Sequence, residues 1–197
     1  STPLYSSAAS DVYKRQVYAP HFQCYAIRRD MVETSEQRIL GVDPGSIHMG
    51  FGLIDASQNN LRLIHQGVLE PDRKADLQFR LHQLHKMLVD NCKEWRPTSI
   101  AVEEPFVGVN VRSAMAVARA ETLVLLVAAS HGIPVARYSP SQVKQAVTGY
   151  GLAEKEQVRY MISAILGVPE PKSLDAADAI GVAVCHAYSV RLNQFIG

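Results

Sequence analysis

Four acidic residues in this sequence have the residue types and positions from which a hydrolytic site is built. Asp43 and Glu103 each end a short apolar run, and Asp175 and Asp178 lie three positions apart, on one face of a predicted helix start. Taken singly, each has a plainer explanation. Asp43-Pro44-Gly45 is typical of a tight turn, and acids are favoured in the first turn of any helix by its dipole.

The joint arrangement of the four acids favours a metal site. If the two acid-ending strands are neighbours and the helix packs across their ends, the four carboxylates converge. Converging carboxylates repel one another, and some take up protons unless cations offset their charge. Because every candidate ligand is an oxygen, we expect two Mg²⁺ ions, with Mn²⁺ as a substitute, and a nucleic-acid phosphate as the group that approaches them.

Glu104 directly follows Glu103, but the two side chains cannot both serve this site. Adjacent residues of an extended strand point to opposite faces of the sheet. We therefore assign Glu103 alone to the predicted site.

Hydrophobic patterning predicts the elements that position these acids. Short apolar or alternating runs separated by Gly, Asn and Ser predict a three-stranded antiparallel meander, followed by alternating helices and strands of an α/β fold. Ser139-Pro140-Ser141-Gln142 predicts a capping box at one helix start. The predicted strands are 38–42, 50–55, 61–69, 99–103 and 135–137, and the predicted helices are 77–95, 112–131, 140–148, 154–166 and 173–192.

Length and composition fit one ordinary domain, and the cysteine spacing argues against two classes of site. The chain has 197 residues, of which 47% are hydrophobic and 20% charged, enough to bury a real core. Its net charge of +1 does not identify a partner. Cys24, Cys92 and Cys185 are widely spaced, which argues against a disulfide framework or a thiolate zinc site. This spacing predicts that the protein resides in the reducing cytoplasm.

The longest apolar tract, Ala114 to Ala129, predicts a buried helix with no membrane role, because Arg119 and Glu121 interrupt it. The surrounding helix is apolar almost all round, which predicts a second burying surface and hence a symmetric homodimer. Residues 1–36 lack a sustained hydrophobic period, and we expect them to be an extraneous or disordered leader to a domain at 37–197.

Several segments resemble the RuvC family of bacterial Holliday-junction resolvases. The resemblance extends over about residues 38–188, and it is the order of the segments, more than any one of them, that is specific. The matching segments are Ile39 to Ser46 with Gly50 and Gly52, Ala101 to Glu103, Gln142 to Val147, Gly149 to Lys155, and Asp175 to Ala179.

The resemblance implies an RNase H-like fold, with a five-stranded mixed sheet flanked by helices. It implies that Asp43, Glu103, Asp175 and Asp178 are the catalytic, metal-binding carboxylates of a Mg²⁺-dependent endodeoxyribonuclease. Such an enzyme cuts four-way DNA junctions symmetrically, in recombination and repair. The implied partners are junction DNA, a second copy of the chain, and the RuvA and RuvB branch-migration proteins.

The resemblance also implies DNA contacts. Lys144 and Lys155 match family lysines expected near phosphates, and Phe106 matches an aromatic residue that stacks against bases at an opened junction. Asn110 and Arg112 are further backbone-contact candidates.

The chain departs from the family in the long helix and in the loop before it. Where the family usually has Gly-Gln-Ala-Arg-Gly, this helix has Ala118-Arg119-Ala120-Glu121-Thr122, so basic and acidic positions are rearranged. Pro105 and Val109 also depart from the family pattern. These differences bear on DNA contacts or on the dimer surface and leave the four acids untouched.

Two other functions are compatible with parts of the sequence. Asp43-Pro44-Gly45 with Gly50 is also similar to the phosphate loop of actin-like ATPases, but those proteins need two lobes, and this chain has room for one. A junction-binding protein without cleavage is the non-enzyme alternative, and the presence of all four acids argues against it. Paired nicking of a four-way junction in Mg²⁺ distinguishes these functions.

Overall fold

The predicted five-stranded mixed sheet is confirmed. The computed structural model describes residues 36–58, 60–104 and 111–196, without the side chains of 111–113 and 194–196; the predicted leader, except residue 36, lies outside these ranges. The strands are β1 (Gln37–Asp43), β2 (Met49–Ala56), β3 (Leu61–Leu69), β4 (Ser99–Glu103) and β5 (Val135–Tyr138). Their order is β3-β2-β1-β4-β5, with β1 antiparallel to β2 and parallel to β4.

The helices lie close to their predicted positions. They are α1 (Leu77–Trp95), α2 (Val111–Ser130), α3 (Pro140–Thr148), α4 (Lys155–Leu166) and α5 (Leu174–Ile196). The prediction ended the last helix at residue 192, which was too early, because no Gly or Pro interrupts the chain before Gly197. The predicted capping box at the start of α3 is present. Among the described residues, no helix combines the length and apolarity needed to cross a membrane.

Strand alternation divides the core into two layers, one on each face of the sheet. The first layer contains Leu40, Val42, Ile100 and Val102 of the sheet, packed with residues of α1 and α2. The second layer contains Ile39, Ile54 and Ala101 of the sheet, packed with residues of α3, α4 and α5. Odd-numbered positions of β1 and β4 therefore face α5, and even-numbered positions face α2.

Glycines in β1 and β2 let α5 lie directly on the backbone of the sheet. A Cβ atom at Gly41 would lie 2.1 Å from the carbonyl oxygen of Ala179, and one at Gly50 would lie 2.0 Å from that of Asp175. Real Cβ atoms do not approach other atoms so closely, so any side chain would force the helix away. The absence of side chains here sets the height of α5 above the sheet.

We expect Gly41→Ala to lower the free energy of unfolding by about 1–3 kcal/mol, the usual cost of overpacking a core. The matched control is Gly181→Ala, within α5, where the atoms nearest to a Cβ are methyl groups of Val143, Ile162 and Val158, at 3.2, 3.4 and 3.9 Å. A side-chain methyl group shifts by a few tenths of an ångström more easily than a backbone carbonyl, and alanine favours a helix, so the control should cost less stability than Gly41→Ala. Urea unfolding compares the two, and equal stabilities would contradict the proposed close-packing constraint.

Candidate active site

Asp43 and Glu103 end neighbouring parallel strands and face the same side of the sheet. Asp43 is the last residue of β1 and Glu103 the last of β4. Because side chains alternate along a strand, both lie on the face that carries Ile39 and Ala101, which is the face covered by α5. The meander and the parallel pairing therefore bring together two acids that are 60 positions apart in sequence.

The start of α5 brings the other two acids to the same end of the sheet. Asp43 pairs across the sheet with Gly50, and Gly50 abuts the backbone carbonyl of Asp175. Asp178 is three residues further along α5, on the same side of the helix. Its Oδ2 accepts a hydrogen bond of 2.8 Å from Nζ of Lys155.

The four carboxylates are close enough to affect one another's pKa values. Burial, followed by repulsion from Glu103, Asp178 and Asp175, raises the pKa of Asp43 to about 8, although Lys155 acts in the opposite direction. Burial and repulsion from Asp178 likewise raise the pKa of Glu103 to about 7, against the lowering effect of Lys155 and Lys144. The site concentrates negative charge that the two lysines offset only in part.

The donor set fits a hard divalent cation, because it offers several carboxylate oxygens in one partly buried place. Within the described ranges, no three His, Cys, Asp or Glu side chains are already arranged as a metal cage. Two features of the site account for this arrangement. The carboxylates repel one another, and Asp178 is held by the ammonium of Lys155. The shared face and the mutual repulsion still favour a cation at this site, because a bound cation offsets the repulsion.

Of the predicted DNA contacts whose side chains the structure describes, both lysines lie close to the carboxylates. Lys155 binds Asp178, and Lys144 is close enough to lower the pKa of Glu103. Phe106 and Asn110 lie outside the described residues, as does the side chain of Arg112, whose backbone is in the first turn of α2.

An ion-pair network on the opposite face of the sheet was missed from the sequence. Glu104 faces away from the carboxylates, as predicted, and pairs with Arg137 of β5. Arg137 also pairs with Glu121 of α2, one of the residues that depart from the family pattern. The departure from the family pattern could have drawn attention to Glu121, but no local sequence pattern indicated that Arg137 is its partner.

A family model described as crossover junction endodeoxyribonuclease RuvC matches residues 39–186 of the chain. Relatives of the same name include one from Syntrophomonas wolfei, 42% identical, whose alignment covers 81% of this chain and 93% of the relative. Another, from Desulforamulus reducens, is 46% identical over 76% of this chain and 92% of its own length.

Solved structures have the same fold. Thermus thermophilus RuvC in complex with a Holliday junction substrate matches with a TM-score of 0.75 and 34% identity, over 80% of this chain and 97% of that one. The yeast mitochondrial Holliday junction resolvase matches with a TM-score of 0.54 over 81% of this chain and 83% of its own. At 17% identity, the second match bears on the fold alone.

The raised pKa of Asp43 predicts a pH-dependent stability of the metal-free protein. Its ordinary value is 3.8 and its value in the fold is about 8, so between these pH values the folded state binds the proton more tightly than the unfolded state does. Stability should therefore fall as pH rises from about 4 to about 8. Asp43→Asn has no such proton to lose and should be more stable than wild type at pH 8, by about 1 kcal/mol or more, and equal to it near pH 4.

Urea unfolding across this pH range, with metal ions chelated, measures the effect. Asp90→Asn, on the exposed side of α1, is the matched control and should follow wild type at every pH. Parallel curves for Asp43→Asn and wild type would contradict the repulsion at the site.

Proposed function

The chain belongs to the RuvC family of crossover junction endodeoxyribonucleases, and we propose that it cuts four-way DNA junctions at the site formed by Asp43, Glu103, Asp175 and Asp178. The observation that carries this assignment is the convergence of these acids on one face, where burial and their mutual repulsion together raise the pKa of Asp43 to about 8. Clustered repulsive carboxylates are a poor device for stability and a suitable one for binding cations.

Family membership implies dependence on a divalent metal, and the oxygen donors favour Mg²⁺. We infer two ions per site, held by the four carboxylates, with Mn²⁺ able to replace them. When bound, the ions activate a water molecule for in-line attack on the phosphodiester and stabilise the leaving oxygen. The protein supplies the deprotonated oxygens, holds them on rigid strand and helix ends, and needs no covalent nucleophile.

Lys155 and Lys144 have a second role in this proposal. In the absence of other cations, Lys155 partly offsets the negative charge through Asp178. Once cations supply that charge, its ammonium is available to a DNA phosphate, as is that of Lys144. The proposed contacts from Phe106, Asn110 and Arg112 rest on the family resemblance alone.

The outer face of α2 supports the inference of a homodimer. Glu121 and the small and branched residues beside it face the sheet, whereas Met115 and Leu126 on the outer side are 50% and 55% exposed. Exposed apolar residues on one helix face are a typical two-fold contact, because the same patch is buried twice. Two sites related in this way match the two strands that must be cut to resolve a junction.

The wider setting of the enzyme is inferred from its family. Junction DNA is the substrate, and the RuvA and RuvB branch-migration proteins are the proposed partners. A cytoplasmic location fits the free thiols of Cys92 and Cys185 and a DNA substrate. An ATPase activity has no comparable support, and ATP hydrolysis without DNA would be the observation that favours it.

We expect Asp43→Asn to slow junction cleavage by more than about 100-fold. Residues that only hydrogen-bond to metal ligands already contribute about 10- to 100-fold to metal affinity or activity, and Asp43 is itself a proposed ligand. Junction binding should persist or tighten, since the variant removes a negative charge that faces the phosphate. A labelled four-way junction in Mg²⁺ reports cleavage as paired nicks, and a mobility shift reports binding.

The control for this experiment is again Asp90→Asn, which should cut at the wild-type rate. Equal loss of binding and cleavage in Asp43→Asn would indicate a structural role for Asp43. Wild-type cleavage by the variant would remove the carboxylate site as the catalytic centre.

We expect Leu126→Glu to disrupt the dimer, because it places a charge in the proposed apolar contact. Light scattering at micromolar concentration should give twice the chain mass for wild type and the chain mass for the variant. Lys86→Glu, on the exposed side of α1, should remain dimeric. A monomeric wild type would exclude the dimer.

A further inference from the structure

Glu121 is a buried acid in the middle of α2 and depends on one arginine. It is only 5% exposed, and its Oε1 lies 2.5 Å from a guanidinium nitrogen of Arg137 in β5. A buried carboxylate is costly unless it is paired, so removing Arg137 would leave an uncompensated charge between helix and sheet. Glu121 therefore faces inward and is a poor candidate for a contact with DNA or with a second copy.

Arg137 also reaches the end of the strand that carries Glu103. Its Nε lies 3.7 Å from Oε1 of Glu104, the residue that follows Glu103. The backbone N–H of Glu104 donates a 2.8 Å hydrogen bond to the carbonyl of Tyr138, beside Arg137. One guanidinium thus joins α2, β5 and the end of β4.

The charges in this network argue against a direct role in binding phosphate. Arg137 faces two carboxylates, those of Glu104 and Glu121, so the network as a whole carries a net negative charge. A phosphate approaching it would gain no attraction. The network instead constrains the backbone, because Glu104 can stay on the α2 face only if Glu103 points to the α5 face.

We propose that Arg137 is a positioning residue for the nuclease site. By holding Glu104 and Glu121 on the α2 face, it fixes the end of β4 and so the direction in which Glu103 enters the carboxylate site. It also keeps Glu104 from adding a fifth negative charge there. This role rests on the proposed function only for its effect on cleavage, since its effect on metal binding is measurable without DNA.

Three variants test the positioning role: Arg137→Gln, Glu121→Arg, and the double reversal Glu121→Arg with Arg137→Glu. The control is Arg38→Gln. Arg38 pairs at 2.7 Å with the buried Asp55, which keeps a second contact with Arg62 at 3.0 Å, and it lies at the opposite end of β1 from Asp43. The measurements are Mn²⁺ affinity by titration calorimetry without DNA, single-turnover cleavage of saturating junction in Mg²⁺, junction affinity without divalent metal, and stability in urea.

We expect Arg137→Gln to weaken Mn²⁺ binding and to slow single-turnover cleavage by about 10- to 100-fold, as for other groups that orient metal ligands. Junction affinity should stay within about twofold of wild type, because no phosphate contact is lost. Glu121→Arg should show the same losses. The double reversal should recover stability but little Mn²⁺ affinity, because the pair between positions 121 and 137 forms again with its charges exchanged while the glutamate introduced at position 137 repels Glu104. Arg38→Gln should lose stability but keep Mn²⁺ affinity and cleavage.

Four results would overturn the positioning role. The first is wild-type Mn²⁺ affinity and cleavage in Arg137→Gln, and the second is equal losses in Arg38→Gln, which would indicate general destabilisation. The third is a weaker junction affinity in Arg137→Gln with a salt dependence smaller by about one phosphate contact, which would make Arg137 a DNA ligand. The fourth is a double reversal that recovers Mn²⁺ affinity together with stability, which would show that the contact between Arg137 and Glu104 is not needed.

If either single variant fails to fold, the double reversal, which restores the pair between positions 121 and 137, decides the question through its Mn²⁺ affinity, and its failure to fold would count against an exchangeable ion pair. A wild type that binds Mn²⁺ but does not cut junctions would contradict the proposed function alone. The comparison of Mn²⁺ affinities would then still test the positioning of Glu103.

Discussion

The direct packing of α5 on the backbone of β1 and β2 is the constraint on which the rest of the site depends. Gly41 and Gly50 leave no side chain between helix and sheet, and their missing Cβ atoms would lie about 2 Å from backbone carbonyls of α5. The first turn of the helix is thereby placed beside the end of β1. A helix held one side chain higher would leave Asp175 and Asp178 too far from Asp43 to share a cation.

That closeness has an electrostatic consequence that links the fold to its chemistry. Burial, together with repulsion among the carboxylates, raises the pKa of Asp43 and of Glu103; Lys155 opposes the shift at both residues and Lys144 opposes it at Glu103. Divalent cations relieve the same repulsion far more effectively. Metal binding should therefore stabilise the fold as well as enable hydrolysis, and it should release protons near neutral pH. The repulsion between the carboxylates and the proposed affinity for cations have the same origin.

At the end of β4, two adjacent acids have different roles because their side chains lie on opposite faces of the sheet. Glu103 enters the carboxylate site on one face, while Glu104 pairs with Arg137 on the other. The pair between Arg137 and Glu121 extends this arrangement to α2, the helix whose outer face we infer to meet a second copy. The acid at position 121, which departs from the family pattern, has thus been absorbed into the interior of this chain.

The sequence by itself predicted the five strands and five helices, apart from the end of α5, as well as the capping box and the four acids proposed for the site, because each depends on neighbours within a few residues or on strand alternation. It also predicted which of Glu103 and Glu104 faces the site. Only the tertiary structure decided that Arg137 is the partner of Glu121 and that Lys155 holds Asp178. Those pairs join residues from different elements. Their geometry depends on how the helices pack on the sheet, and no local sequence pattern specifies that packing.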